Sequence, residues 1–150
     1  MSILWRRAVL VDSSTFFALL DADDANHALA RTAFEQLAGE SRPLASTNLL
    51  VAEVHALTQR RLGPQVARAW LNALPTSQVS LLHAGEAHHV RAVALTNKYP
   101  DHSFSYADAV AFAIADERGI GTFFSFDRHF AEYAAISGRG FLGLLGRNIS

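Results

Sequence analysis

The stretch RAVLVDSSTFFALL, residues 7–20, carries four consecutive apolar residues that stop at the carboxylate of Asp12. A short unbroken apolar run is typical of a strand buried on both faces of a parallel sheet. The three hydroxyl residues after Asp12 favour the start of a helix that continues to Leu20. Asp12 is therefore predicted at the carboxyl end of a central strand, where open α/β sheets place their ligands.

Strand and helix patterns alternate along the rest of the chain. Further strands are predicted at Arg42–Ser46, Gln78–His83 and Gly121–Phe126. Helices are predicted up to Gly39, from Leu49 to about Leu62, from Pro64 to Leu74, from Glu86 to Tyr99, from Ser105 to Arg118, and around Phe130. In the helix at Glu86–Tyr99 the spacing suggests that Val90, Val93 and Ala94 face inward. This order predicts a three-layer α/β domain with a central parallel β-sheet flanked by helices. A glycine-rich tail with Phe141 and Leu142 follows, and no strand is predicted there.

Composition restricts the class of protein. Of 150 residues, 50% are hydrophobic and 18% charged, which indicates a globular chain, and we expect one domain over residues 1–150 with a core of about residues 8–142. No apolar run reaches the roughly 20 residues of a membrane span. The absence of cysteine fits a cytoplasmic protein. A net charge of −1 disfavours a protein that coats nucleic acid through a large basic field.

Asp127 repeats the situation of Asp12, since each carboxylate stands where a predicted strand ends and a helix begins. Parallel strands would bring both side chains to the same edge of the sheet. Taken singly, each of the two is equally well explained as an ordinary helix N-cap.

Two further acids belong to the same candidate cluster. Glu53 borders the apolar stripe of its helix, where it would be partly desolvated unless its side chain extends to water. Asp108 follows Ser105 in a pattern that resembles a capping box, which would hold its carboxylate at the mouth of a helix. Asp116 lies two turns further along that helix and is expected to be a peripheral or solvated residue rather than a direct ligand, within reach of the site through water.

Close carboxylates raise one another's pKa until a proton or a cation binds. Oxygen ligands favour Mg²⁺, with Mn²⁺ as the alternative, and such ions support phosphodiester hydrolysis. Zinc is disfavoured because there is no cysteine and the seven histidines show no paired spacing. Among those histidines, His27 and His129 stand out, the latter because it adjoins Asp127. The chain has no GxxxxGK[ST], GxGxxG or GxSxG motif that would indicate another chemistry.

Four segments together resemble the PIN-domain family, and specifically its VapC-type ribonuclease toxins. They are VLVDSS at 9–14, TNLLVAEV at 47–54, SYADAVAFAIADERG at 105–119 and SFDRHF at 125–130. Each motif alone is short, but their order and separation extend the resemblance from about Ala8 to Leu142.

The resemblance implies an acidic metal-binding quartet of Asp12, Glu53, Asp108 and Asp127, with Ser13 and Ser125 beside its first and last acids. It also implies Mg²⁺- or Mn²⁺-dependent RNA cleavage, a homodimer, and a VapB-like antitoxin as protein partner. Basic residues that are candidates for RNA contact are Arg6, Arg7, Arg60, Arg61, Lys98 and Arg128. Two alternatives stay open: a catalytically silent PIN-like module that binds RNA or a protein, and a PIN ribonuclease of RNA processing that is not a toxin.

Overall fold

The computed structural model describes residues 4–143, which form five parallel strands and seven α-helices. The strands are β1 (Val9–Val11), β2 (Leu44–Thr47), β3 (Val79–Leu82), β4 (Thr122–Phe124) and β5 (Gly140–Leu142). The helices are α1 (Ser13–Leu20), α2 (His27–Gly39), α3 (Asn48–Leu62), α4 (Pro64–Ala73), α5 (Glu86–Lys98), α6 (Tyr106–Arg118) and α7 (Arg128–Ser137). The sheet order is β3-β2-β1-β4-β5, with every neighbouring pair parallel. The predicted three-layer α/β class is confirmed.

Alternate residues of the central strands enter two separate hydrophobic cores. Leu10 of β1 packs in the core that contains most of α6, whereas Val9 and Val11 pack in the core with Phe16 of α1. This division explains why β1 is apolar at every position, since both faces of the strand are covered by helices. No helix among residues 4–143 is both long enough and apolar enough to cross a membrane.

Buried hydroxyl groups satisfy the backbone at the carboxyl ends of the strands. Ser46 donates through Oγ to the carbonyl of Val11 at 2.8 Å, and Thr15 donates to the carbonyl of Phe124 at 3.0 Å. Both hydroxyl side chains are fully buried. Because an unpaired buried carbonyl is costly, these bonds fix the strand ends from which the site residues project.

The predicted inward face of α5 is wrong. Val90 and Val93 are 62% and 42% exposed, and the buried residues are Ala92 and Leu95. Both sets of residues recur at helical spacing, so spacing alone does not choose between them. Ala94 is exposed as well, so the side of α5 that enters the core is set by its packing against α6 and not by its own pattern.

The glycine-rich tail contains a strand that the sequence pattern did not predict. β5 adds to the edge of the sheet, where Phe123 of β4 is the partner of Phe141. Its two apolar residues are only half-buried, so the segment lacks the long apolar run by which the central strands were identified.

Candidate metal centre

Asp12 is the innermost acid of the cluster. It follows β1 and caps α1, with its carboxylate accepting hydrogen bonds from the Ser13 backbone N–H at 2.6 Å and the Ser14 hydroxyl at 2.8 Å. The Ser125 hydroxyl donates a third bond at 2.7 Å. The residue is 2% exposed. Burial, together with the charge of Asp127, raises the pKa of Asp12 above its ordinary value although the three donors oppose the shift.

Ser125 connects the first acid to the last. While its hydroxyl donates to Asp12, the same oxygen accepts a 2.9 Å bond from the backbone N–H of Asp127. Asp127 in turn caps α7 by accepting from the N–H of His129 at 2.8 Å. The adjacent strands β1 and β4 thereby place two capping carboxylates side by side, as the sequence predicted.

Glu53 reaches the cluster from the second turn of α3. Its Oε1 accepts a 3.1 Å bond from the Ser13 hydroxyl, which also lies 3.2 Å from Oδ1 of Asp12. Glu53 is exposed at the mouth of the site. Partial desolvation, followed by the charges of Asp12 and Asp127, raises the pKa of Glu53.

Asp108 projects from the first turn of α6. Its backbone N–H donates to the Ser105 hydroxyl, which is the N-cap of the helix, at 3.1 Å. The carboxylate itself is buried. Burial and then the charges of Asp12, Asp127 and Glu53 raise the pKa of Asp108 to about 8. Burial is the largest cause of this shift, and the three neighbouring carboxylates add to it.

No arginine or lysine among residues 4–143 forms an ion pair with any of the four acids. His129 is the basic side chain within 4.0 Å of these acids in the described chain. Burial first, and then the charges of neighbouring acids, raise the pKa of Asp12, Glu53 and Asp108, so the charged form of the cluster is disfavoured without a counter-charge. The donors are carboxylate oxygens, which hard divalent cations prefer. Oxygen atoms of Asp108 and Asp127 and a ring nitrogen of His129 all lie within 4.8 Å of one another. The residues present thus fit a divalent cation.

The acids line an open cleft of about 590 Å³. Ala56, Leu57 and Arg60 of α3 form one wall, and His129 of α7 lies beside the carboxylates. Six basic residues were candidates for RNA contact from the sequence, and of these Arg60 lines the cleft. Sequence reasoning singled out His129 only for its adjacency to Asp127 and did not predict its approach to Asp108.

Asp116 is not brought to the cluster. Its carboxylate accepts a 2.6 Å bond from the Tyr133 hydroxyl and pairs with Arg139 at 3.0 Å. Asp116 does not line the cleft, and it lies eight positions beyond Asp108 in α6, about 12 Å along the axis. Its hydrogen bond with Tyr133 ties α6 to α7.

We expect Asp116→Asn to lower the melting temperature by about 2–6 °C and to leave cation binding unchanged. The substitution weakens a partly buried ion pair while it leaves all four clustered acids in place. Thermal unfolding with EDTA and with Mn²⁺ measures both effects. A smaller Mn²⁺-induced stabilisation than in the wild type would contradict this placement of Asp116.

Comparison with known proteins finds relatives that match most of the chain. The chain is 26% identical over 123 residues to the 23S rRNA-specific endonuclease VapC20 of Mycobacterium tuberculosis, covering 82% of this chain and 92% of that protein. The crystal structure of M. tuberculosis VapC20, described as a sarcin–ricin loop cleaving toxin, superposes with a TM-score of 0.74 at 27% identity. That match covers 83% of this chain and 94% of the other.

A more distant structure shares the fold. VapBC2 of Rickettsia felis, solved bound to a DNA fragment from its promoter, has a TM-score of 0.68 at 9% identity and covers 91% of this chain and 98% of the other. The family model described as PIN domain matches residues 9–136, from β1 into α7. That range includes all four acids and the strands and helices that carry them, and the chain therefore belongs to the PIN-domain family.

Proposed function

We propose that this protein is a metal-dependent endoribonuclease that hydrolyses RNA phosphodiester bonds and acts as the toxin of a toxin–antitoxin pair. The observation that carries the proposal is the convergence of Asp12, Glu53, Asp108 and Asp127 in an open cleft without a lysine or arginine partner in the described chain. Such a site needs a cation to be stable when charged, and the cleft leaves room for substrate beside it.

Asp12, Asp108 and Asp127 are proposed to hold Mg²⁺ or Mn²⁺, directly or through water. A divalent cation in such a site lowers the pKa of a water molecule and offsets negative charge that develops on the phosphodiester. Glu53, exposed at the mouth, is proposed to orient the attacking water by accepting its hydrogen bond. Ser13 holds the Glu53 carboxylate against Asp12, and Ser125 fixes Asp12 relative to Asp127.

RNA is proposed as substrate because VapC20 is a 23S rRNA-specific endonuclease and shares most of its length with this chain. A structured ribosomal RNA segment is accordingly the first substrate to test. The solved VapBC2 complex supports a VapB-like protein as partner. A homodimer is proposed as well, from the resemblance of this chain to VapC-type toxins.

Purified protein incubated with a structured rRNA fragment tests the activity. We expect cleavage at discrete positions with Mg²⁺ or Mn²⁺ and none with EDTA, because the four acids alone supply no counter-charge for the reaction. RNA that stays intact while the protein binds it would favour the silent RNA-binding module. Cleavage that persists in EDTA would contradict a metal-dependent mechanism.

The toxin role requires a separate experiment. Induced expression in a bacterial host should arrest growth, and co-expression of a small protein encoded beside this gene should relieve the arrest. Metal-dependent RNA cleavage in vitro without growth arrest would favour the alternative of a ribonuclease in RNA processing.

A further inference from the structure

His129 is the one nitrogen-bearing ring among the residues that approach the acids within the described part of the chain. It is the second residue of α7, and its side chain is 20% exposed. Its Nδ1 lies 3.6 Å from Oδ1 of Asp127 and 3.7 Å from Oδ2 of Asp108. The ring thus faces two of the four acids at once.

Hydrogen bonding does not account for this position. Both Nδ1 distances exceed the 2.7–3.2 Å range of a good hydrogen bond. Nε2 is buried and has no hydrogen-bond partner among residues 4–143. A proton on Nδ1 would therefore lie too far from either carboxylate, and a proton on Nε2 would lack an acceptor. Neither neutral tautomer is satisfied by the protein alone, and a cation at Nδ1 would satisfy that nitrogen while the proton remains on the buried Nε2.

The distances are short enough for the three atoms to share one cation. Two ligands about 2.1 Å from an octahedral ion are separated by about 3 Å when adjacent and about 4.2 Å when opposite. The 3.6 and 3.7 Å separations fall between these two values and all three ligand atoms lie within 4.8 Å of one another, so side-chain shifts of less than about 1 Å would bring them to one ion. The edge-to-face contact of His129 with Phe104, at 5.7 Å between ring centroids, holds the ring in place on the protein side.

We propose that His129 is a nitrogen ligand of the cation and that it gives the site a preference for Mn²⁺ over Mg²⁺. The inference rests on the metal site of the proposed function and adds to it a ligand outside the acidic quartet. Mg²⁺ is bound almost exclusively by oxygen ligands. Imidazole is a good ligand for transition metals, and among these Mn²⁺ also binds carboxylates well. Exchanging one oxygen for an imidazole nitrogen therefore favours Mn²⁺.

Electron spin-echo measurements on Mn²⁺ bound to the full chain test the ligand directly. We expect the nitrogen modulation of a coordinated imidazole in the wild type, a change in that modulation when histidine is labelled with ¹⁵N, and its loss in His129→Asn. His102→Asn is the matched control, since His102 stacks on the same Phe104 ring at 5.1 Å but does not line the cleft. The control should keep the modulation.

Affinity gives a second readout. Mn²⁺ titration followed by electron paramagnetic resonance, with Mg²⁺ as competitor, should show about tenfold weaker Mn²⁺ binding in His129→Asn. Mg²⁺ binding should change by less than about threefold. Equal losses for the two ions would overturn the proposed preference for Mn²⁺.

The outcomes separate the inference from the proposed function. Mn²⁺ that binds the wild type and not Asp12→Asn, yet shows no imidazole nitrogen, overturns the role of His129 and leaves the metal site standing. Mn²⁺ binding that does not depend on Asp12 overturns both. Because the ¹⁵N-histidine measurement uses the wild-type chain, absence of an imidazole nitrogen there overturns the role of His129 even if His129→Asn fails to fold, which melting in EDTA would reveal.

Discussion

Replacement of Asp12 by asparagine should reduce metal-dependent RNA cleavage by about 100-fold or more. Substitution of groups that merely support a metal ligand already costs about 10–100-fold in affinity or activity, and Asp12 is proposed as a ligand itself. It also accepts bonds from Ser13, Ser14 and Ser125, so its loss disturbs the partners that align the neighbouring acids. Initial rates of cleavage of an rRNA fragment, at saturating Mg²⁺ and Mn²⁺, measure the effect.

Asp21→Asn is the matched control for this substitution. Asp21 ends the helix that Asp12 begins, so the same change of charge is made at the opposite end of α1. The control should cleave RNA at the wild-type rate. Metal-dependent cleavage that survives Asp12→Asn would show that the acidic cluster is not the active site, provided that the variant melts cooperatively like the wild type.

Asp108→Asn should stabilise the metal-free protein and remove most of the stabilisation that a cation gives. The pKa of Asp108 is about 8 in the folded protein, against an ordinary value of 3.8. Between these two pH values the folded state holds a proton that the unfolded state has already released. The free energy of unfolding of the metal-free wild type should therefore fall as the pH rises from about 4 to about 8. Asparagine carries no charge at any of these pH values, so this contribution to the slope disappears.

The measurement is thermal unfolding in EDTA at pH 5 and at pH 8. We expect Asp108→Asn to melt about 3–6 °C above the wild type at pH 8, which corresponds to about 1.5 kcal/mol, and to differ less at pH 5. Addition of Mn²⁺ should raise the melting temperature of the wild type and of Asp116→Asn much more than that of Asp108→Asn. An undiminished response to Mn²⁺ in Asp108→Asn would mean that Asp108 only serves the helix start.

Local patterns were enough to predict where the central strands end. The run before Asp12 is apolar because both faces of β1 are covered, and α1 begins directly after it with Asp12 itself as the N-cap. The start of α3 follows the same rule, since the Thr47 side chain accepts from the N–H of Leu50. Both signals lie within a few residues of the feature they predict, which is why they could be found in a single sequence.

Contacts between distant segments could not be found in this way. The pairing of Asp116 with Arg139 and the approach of His129 to Asp108 each join residues about twenty positions apart. Their partners are set by how α6 and α7 pack, which the periodicity of neither helix specifies. The convergence of the four acids was predictable only because parallel strands share an edge and because the motifs resemble a known family.

The four acids differ in how much of the fold depends on them. Asp12 and Asp127 each begin a helix through their carboxylates, and the Asp108 carboxylate is buried in the first turn of α6. Glu53 alone sits mid-helix at the surface, with a single hydrogen bond from Ser13. Glu53→Gln removes a charge without removing a helix cap. It is therefore the substitution to choose for an inactive protein that is to be crystallised with its substrate or partner.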